Sequence, residues 1–189
     1  MYDLNKEKAL VKMAKQGNRQ AVGKLYDGLF PGVYAYSRMR LPTTNDAEDI
    51  VSDTFLTVVD QLPHFQWKDP GCFRAWVFQI IRNRIANFYR GNERKQRTSL
   101  ENNSHHLATD IQIVEDSFIQ EELNQYLFMQ INQLSPRRQE VLLLRYFGGL
   151  RNNEIALALN LDERTIAAHL SRALAQLQTE LETNLEVIS

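Results

Sequence analysis

The spacing of its apolar residues is the sequence feature that most limits which folds this chain can adopt. Apolar residues recur at three- and four-residue steps almost throughout, as they do on one face of an α-helix. The segment 45–62 shows the pattern best, with one apolar face and one largely acidic face. The apolar face holds Ala47, Ile50, Val51, Thr54, Phe55, Val58, Val59 and Leu62. The opposite face holds Asp46, Glu48, Asp49, Ser52 and Asp53. No stretch alternates apolar and polar residues for long, as a half-buried strand would. The sequence therefore predicts an all-α protein.

Capping residues and helix breakers set the ends of the predicted helices. Further helices are predicted over 7–16, over 20–40 with a kink at Pro31, and over 73–95. Asn45 is the predicted cap of the helix over 45–62. The Pro-Gly step within 63–72 indicates a loop between that helix and the long one that follows.

A polar segment without helical periodicity, 98–109 (TSLENNSHHLAT), separates two helical parts of the chain. Helices resume near Ser117, Ser135-Pro136 is a helix start, and Gly148-Gly149 is a helix stop. The sequence thus predicts two small helical domains joined by a flexible linker. Their bounds are 1–97 for an N-terminal bundle, 98–116 for an acidic linker, 117–180 for a C-terminal domain and 181–189 for a tail.

The net charge of −1 hides two neighbouring blocks of opposite sign. The segment 74–97 holds seven basic residues and one acid, Glu93, whereas 98–125 holds six acids and no lysine or arginine. Such segregation indicates different roles for adjacent segments. The basic residues are Arg74, Arg82, Arg84, Arg90, Arg94, Lys95 and Arg97, and the acids are Glu101, Asp110, Glu115, Asp116, Glu121 and Glu122.

Several classes of protein are disfavoured by composition. No apolar run approaches the roughly 20 residues that cross a bilayer, and the N-terminus lacks the apolar core of a secretory signal. A single cysteine, Cys72, excludes an internal disulfide framework and a multi-cysteine zinc site. The chain is therefore predicted to be cytoplasmic and not inserted in a membrane, with no cofactor and no metal.

Residues 150–174 (LRNNEIALALNLDERTIAAHLSRAL) have the pattern of a helix-turn-helix. Ala156 is small where two crossing helices must approach, Asn160 tolerates the left-handed conformation of the turn, and Asp162 caps the second helix. The inward face of the second helix is predicted to be Ile166, Leu170, Ala173 and Leu174. In this motif the second helix enters the major groove of DNA. An ordinary helical hairpin shares part of this spacing. The small residue, the turn asparagine, the cap and the inward face occur together here, and that combination favours DNA binding.

The predicted helix over 73–90 (FRAWVFQIIRNRIANFYR) interleaves aromatic residues with arginines. Arginine neutralises phosphate, and aromatic rings offer faces on which unpaired bases stack. The pattern suits a surface that holds locally opened DNA. For Trp76 and Phe78, burial in the core is the favoured interpretation.

Four segments in this order together resemble an extracytoplasmic-function (ECF) sigma factor of RNA polymerase. They are AVGKLYDGLFPGVYAYSRMR, DAEDIVSDTFLTV, FRAWVFQIIRNRIANFYR and the run LSPRRQEVLLLRYFGGLRNNEIALALNLDERTIAAHLSRAL. The resemblance covers about 20–97 and 127–178. It implies a transcription initiation factor without catalytic residues, whose N-terminal domain is the sigma region-2 bundle and whose C-terminal domain is region 4.

The resemblance also implies partners and site residues. Core RNA polymerase would be bound through the clamp coiled coil of its largest subunit and through its flap, and an anti-sigma factor is a further expected partner. The residues expected to bind the clamp are Asp46, Glu48, Asp49, Ile50 and Asp53. Those expected at the minus-ten promoter element are Trp67, Lys68, Arg74, Arg82, Asn83, Arg84, Asn87, Tyr89 and Arg90. Those expected at the minus-thirty-five element are Arg151, Arg164, Thr165, Ala168, His169 and Arg172.

Three positions depart from the family pattern. Asn87 stands where an aspartate is usual, Asn160 where the turn glycine is usual, and Ala167 where a lysine is common. The last change removes one phosphate contact and leaves the promoter sequence undetermined.

The two promoter elements lie roughly 50–70 Å apart at about 3.4 Å per base step. The segment 94–117 can span about 80 Å when extended, which is sufficient.

Two rival functions share part of these features. A helix-turn-helix repressor or activator would explain the C-terminal domain, but it needs a sensor or dimerisation domain that 1–97 does not resemble. A metal-dependent enzyme could use Asp46, Glu48, Asp49 and Asp53, yet no histidine or glycine-rich phosphate loop accompanies them.

Overall fold

A computed structural model describes residues 4–98 and 118–188, and their side chains over 5–92 and 126–182. Every regular element in those residues is helical, which confirms the all-α prediction. The predicted linker lies outside the described residues except for Thr98, the last residue of α4. The helices are α1 Leu4–Lys15, α2 Arg19–Arg38, α3 Thr44–Gln61, α4 Cys72–Thr98, α5 Phe118–Gln133, α6 Pro136–Tyr146, α7 Asn152–Leu159 and α8 Glu163–Ile188, with a 3₁₀ turn Leu62–His64 after α3.

One prediction about a helix end is wrong. The cap of α3 is Thr43 rather than Asn45, because Thr43 is extended and its hydroxyl accepts the backbone N–H of Asp46 at 3.1 Å. The helix predicted over 20–40 is α2, a single helix from Arg19 to Arg38 with Pro31 inside it. Because proline has no backbone N–H, the carbonyl of Asp27 lacks the hydrogen bond that residue 31 would otherwise donate. Both residues are exposed, so water can donate to that carbonyl instead.

The core of the N-terminal bundle, α1–α4, contains several packed aromatic rings among aliphatic side chains. Tyr36, Phe73 and Phe78 are fully buried, and the Tyr36 and Phe78 rings meet edge to face at 5.7 Å. Trp76 is half-buried and its ring lies 4.8 Å from that of Phe65. The core interpretation of Phe78 is thus confirmed, while Trp76 lies at the edge of the core.

The apolar stripe of α3 is narrower than its sequence indicates. Val59 was predicted to face inward, but 52% of it is exposed. The buried row is Ala47, Val51, Phe55, Val58 and Leu62, which leaves Val59 off the face that α2 and α4 cover.

The helix-turn-helix is formed by α7 and α8. Asn160 is left-handed, with φ 53° and ψ 51°, and a carboxylate oxygen of Asp162 accepts the N–H of Thr165 at 2.9 Å, as predicted. Leu174 was predicted to face inward but is 41% exposed. The inward row continues from Ala173 to Leu177, so Leu174 is turned about 100° away from it.

The two helical parts pack against each other, and their buried apolar residues form one continuous cluster. The main contact runs between α4 and α7. At its edge the backbones come very close: a Cβ placed on Gly32 of α2 would lie 2.5 Å from the carbonyl oxygen of Gly148. Within the described ranges, no helix is long and apolar enough to cross a membrane.

Candidate nucleic-acid interface

The residues expected at the minus-thirty-five element lie on one side of α7 and α8. Arg151, Arg164, Ala168 and Arg172 are exposed. Thr165 is half-buried because it completes the cap, donating its N–H and its hydroxyl to the Asp162 carboxylate. These hydrogen bonds lower the pKa of Asp162. The carboxylate therefore stays charged and keeps the first turn of α8 in place.

His169 lies in the same group but differs from the arginines in its surroundings. Its Nδ1 atom is buried without a hydrogen-bond partner. Burial lowers the pKa of His169, and the cations Arg137, Arg172 and Arg138 lower it further. The ring is therefore neutral at neutral pH, and it can offer a base only a neutral hydrogen bond or an apolar contact.

Two arginines of this basic group were missed by sequence reasoning. Arg137 is exposed in the first turn of α6, and Arg138 donates to the side-chain oxygen of Gln176 at 3.0 Å. The signal was present in the Ser-Pro-Arg-Arg run, because a helix start places its first side chains beside free backbone N–H groups.

The residues expected at the minus-ten element are divided among three environments. Lys68 and Asn83 are exposed, and Trp67 is half-buried with its ring edge-on to Phe65 at 6.5 Å. Further along α4, Asn87 accepts a hydrogen bond from Arg90, and both are exposed. These five residues lie on or beside the outer surface of α4 and of the loop before it.

Two more members of that set bond within the N-terminal bundle. The Tyr89 hydroxyl donates to the carbonyl of Arg40, and burial raises the pKa of Tyr89. Arg84 donates to Asp53 at 2.9 Å and also to the Thr57 hydroxyl. A residue expected to touch DNA thus pairs with one expected to touch the polymerase.

Arg74 and Arg82 lie at the junction with the C-terminal part. Arg74 is only 8% exposed; its Nη2 lies 3.4 Å from the Gly148 carbonyl oxygen and its Nε 3.9 Å from a Glu154 carboxylate oxygen. Arg82 donates from Nε to Glu140 at 2.5 Å and from Nη1 to the Ala158 carbonyl at 3.0 Å. The sequence did not signal these partners, which are separated from the arginines by tens of residues.

The acidic face of α3 is available to a partner. Glu48, Asp49 and Asp53 are exposed, while Asp46 and Ile50 are half-buried. Beside these acids, Leu56 and Val59 expose 69% and 52% of their surfaces. Acids around an apolar patch fit a basic partner surface with an apolar centre.

Two family models match this chain, one in each of its helical parts. A family model described as Sigma-70 region 2 matches residues 25–95, and one described as Sigma-70 region 4 matches residues 124–177. Among curated relatives, the ECF RNA polymerase sigma factor BldN of Streptomyces coelicolor is 30% identical over 89% of this chain. The chain belongs to the extracytoplasmic-function sigma factors.

Other RNA polymerase sigma factors match over nearly their whole length. The sigma factor NccH of Alcaligenes xylosoxydans xylosoxydans is 26% identical over 97% of this chain and 99% of its own. Of BldN, by contrast, the chain spans 64%. A solved structure of CnrH in complex with the cytosolic domain of CnrY has the same fold, with a TM-score of 0.69 and 24% identity over 96% of this chain and 99% of that chain.

Sigma factors as a class are transcription initiation factors and not enzymes. Among the described residues, no group of three or more His, Cys, Asp or Glu side chains is placed to hold a metal ion.

Proposed function

We propose that this chain is an alternative sigma factor that binds core RNA polymerase and directs promoter-specific transcription initiation. The observation that carries the proposal is that one chain holds a formed helix-turn-helix and, apart from it, a polar α4 surface beside an aromatic loop. A repressor or activator needs the first surface only. Both sigma-70 regions match in the order that this function requires.

The helix-turn-helix reads the minus-thirty-five element. With α8 in the major groove, Arg164 at its first turn reaches base edges, and Arg172 reaches phosphates. Ala168 allows a thymine methyl to approach closely. Arg151 extends the contact at the start of α7, and Arg137 and Arg138 add phosphate contacts from α6.

The minus-ten element is held by α4 and the loop before it. Trp67 offers a ring face to an unpaired base, and Lys68 offers a charge to the adjoining phosphate. Asn83, Asn87 and Arg90 follow the strand along α4. Arg74 and Arg82 join this surface only when the C-terminal part moves away.

The acidic face of α3 docks on the clamp coiled coil of the largest polymerase subunit, and the C-terminal domain contacts the flap. The exposed carboxylates steer the encounter, while Ile50, Leu56 and Val59 supply the apolar contact. The polymerase carries out the chemistry, so the chain has no catalytic role of its own and works in the cytoplasm. Because a similar solved structure is RpoE in complex with the anti-sigma factor NepR, from Bartonella quintana, we include an anti-sigma factor among the partners.

Run-off transcription tests the proposal. Core polymerase is incubated with a fragmented genomic library, with and without this protein, and new transcripts are aligned upstream of their starts. We expect start sites that depend on the protein and share two sequence elements. Asp49→Arg should abolish them, whereas Asp27→Arg, a matched change at an exposed acid on α2, should not. DNA binding without any new start site would favour the repressor.

A further inference from the structure

His169 lies on the flank of α8 that faces α6 rather than on the outward side of the helix. Residues seven apart fall on the same side of an α-helix, so His169 shares its side with Gln176. Gln176 accepts a hydrogen bond from Arg138 of α6 at 3.0 Å, and α6 packs along α8. His169 is half-buried there, whereas Arg164 and Ala168 are exposed. The imidazole therefore lies at the border between α6 and the outward surface of α8.

Three arginines act on this ring. Arg137 and Arg138 come from the first turn of α6, and Arg172 lies about one turn after His169 on α8. Each of them opposes a positive charge on the imidazole, which shows that all three are close to it. Guanidinium groups that converge in this way are typical of a site for an oxyanion such as phosphate.

The ring itself is uncharged in the free protein. Its Nδ1 atom is buried and has no hydrogen-bond partner within the described part of the chain, which leaves Nε2 as the nitrogen for a ligand. Burial disfavours the imidazolium, and repulsion from Arg137, Arg172 and Arg138 disfavours it further, so the pKa of His169 is below its ordinary value of 6.5.

The flank of α8 is the side that meets phosphates when the helix enters DNA. An α-helix is about 10–12 Å across with its side chains, and the major groove is about 12 Å wide. The outward side of the helix therefore meets base edges, while its flanks meet the sugar-phosphate walls of the groove. His169 lies on such a flank, beside cations that α6 adds from outside the groove.

We propose that the three arginines and His169 form one binding site for a backbone phosphate beside the minus-thirty-five element, and that His169 takes up a proton from solvent when the phosphate binds. This deepens the proposed function and rests on it for the entry of α8 into the major groove. Nε2–H of the imidazolium donates to a phosphate oxygen, as a charge-assisted hydrogen bond. His169 is thus a phosphate contact rather than a reader of bases.

The proton uptake follows from the charges around the ring. In the free protein three cations oppose a further positive charge. A bound phosphate pairs with the guanidinium groups and also attracts the imidazolium, so the pKa of His169 is higher in the complex than in the free protein. DNA affinity then rises as the pH falls through the interval between these two pKa values, by up to about tenfold for each pH unit between them.

The titration of His169 tests the uptake directly. The histidine ring protons of the full chain are followed by NMR from pH 4.5 to 8.5, and the loss of one of four histidine signals in His169→Gln identifies the residue. One duplex carries the minus-thirty-five element found by run-off transcription, and a second has a scrambled sequence. We expect the pKa of His169 to be at least about one pH unit higher on either duplex than in the free protein. Arg137→Gln should raise the pKa in the free protein, because it removes one of the opposing cations.

Fluorescence anisotropy with the labelled duplexes measures the consequence for binding. At constant ionic strength, the wild type should bind at least about threefold more tightly at pH 5.5 than at pH 7.5, whereas His169→Gln should bind with nearly the same affinity at both. His64→Gln is the matched control, because His64 is exposed in the turn after α3, and it should keep the wild-type ratio. If His169→Gln loses helicity by circular dichroism, the titration of the wild type decides alone.

An unchanged pKa of His169 on both duplexes would overturn the proposal, and so would a pH dependence of binding that His169→Gln retains. The proposed function fails in a different way. Equal affinity for the two duplexes together with no protein-dependent transcripts would refute it, while a pKa raised on the scrambled duplex would still support the phosphate site, because phosphate contacts do not depend on sequence.

Discussion

Removal of the Tyr36 hydroxyl tests how strongly the junction stabilises the folded chain. Tyr36→Phe keeps the shape of a fully buried ring and deletes only the donor to Glu140, so no cavity contributes. A hydrogen bond to a charged group contributes about 1.5–3 kcal/mol. Arg82 and Arg40 remain on the carboxylate, so we expect a loss of about 2 kcal/mol in the free energy of unfolding.

Urea unfolding followed by circular dichroism measures this loss. With a slope of about 2 kcal/mol per molar urea, the midpoint should fall by about 1 M at constant slope. Tyr34→Phe is the matched control, because Tyr34 is half-buried and stacks on Phe30; its midpoint should change little.

A double-mutant cycle with Glu140→Gln identifies the partner. Coupling between Tyr36→Phe and Glu140→Gln should be about 1 kcal/mol or more, since the two groups are in direct contact. If Tyr36→Phe matched Tyr34→Phe, or if the two changes were additive, the hydroxyl–carboxylate contact would not stabilise the protein and the reasoning would be refuted.

Three further predictions concern single residues. Burial raises the pKa of Glu7 from 4.5 to about 7, so the contribution of this carboxyl to stability is present below about pH 4.5 and is lost as the pH rises through 7. At pH 8.5 we expect Glu7→Gln to unfold at a higher urea concentration than the wild type, with a free energy of unfolding that is higher by up to about 3 kcal/mol. At pH 5 the two proteins should unfold at similar urea concentrations. Asn160→Gly should leave thermal stability unchanged or slightly higher, whereas Asn160→Val should lower it by about 1–2 kcal/mol, because Asn160 is left-handed; equal melting temperatures would contradict this. Asp162→Ala should lower the melting temperature and weaken minus-thirty-five binding in a gel-shift assay, because it removes the cap of α8, whereas Asp162→Asn should retain most of both; an unchanged Asp162→Ala would show that the cap is dispensable.

The parts of the fold that sequence predicted best depend on local interactions. The left-handed Asn160 and the capping Asp162 act on backbone groups within a few residues of themselves, so their chemistry was readable from the sequence. The cap of α3 was misplaced by two residues, because Thr43 and Asn45 both have suitable side chains and only the backbone angles distinguish them.

Predictions about which side of a helix is covered were less successful. Helical spacing gives the direction of an apolar stripe, but its width depends on the neighbouring helices. Val59 and Leu174 lie beside their buried rows and face solvent, since no described helix covers that side. The same limit applies to the site: the spacing put Arg74 and Arg82 on α4 but carried no information about carboxylates on α6 and α7.

The arginines of α4 fall into two classes according to where their carboxylate partners lie. Arg84 pairs with Asp53 inside the N-terminal bundle. Arg82 pairs with Glu140 of α6, across the contact between the two helical parts. Both pairs are charge-assisted hydrogen bonds, so truncation of either acid leaves a cation that has lost its partner. Such a loss costs more at Arg82, because its side chain is also enclosed by the Ala158 carbonyl and by Tyr36 around the same carboxylate.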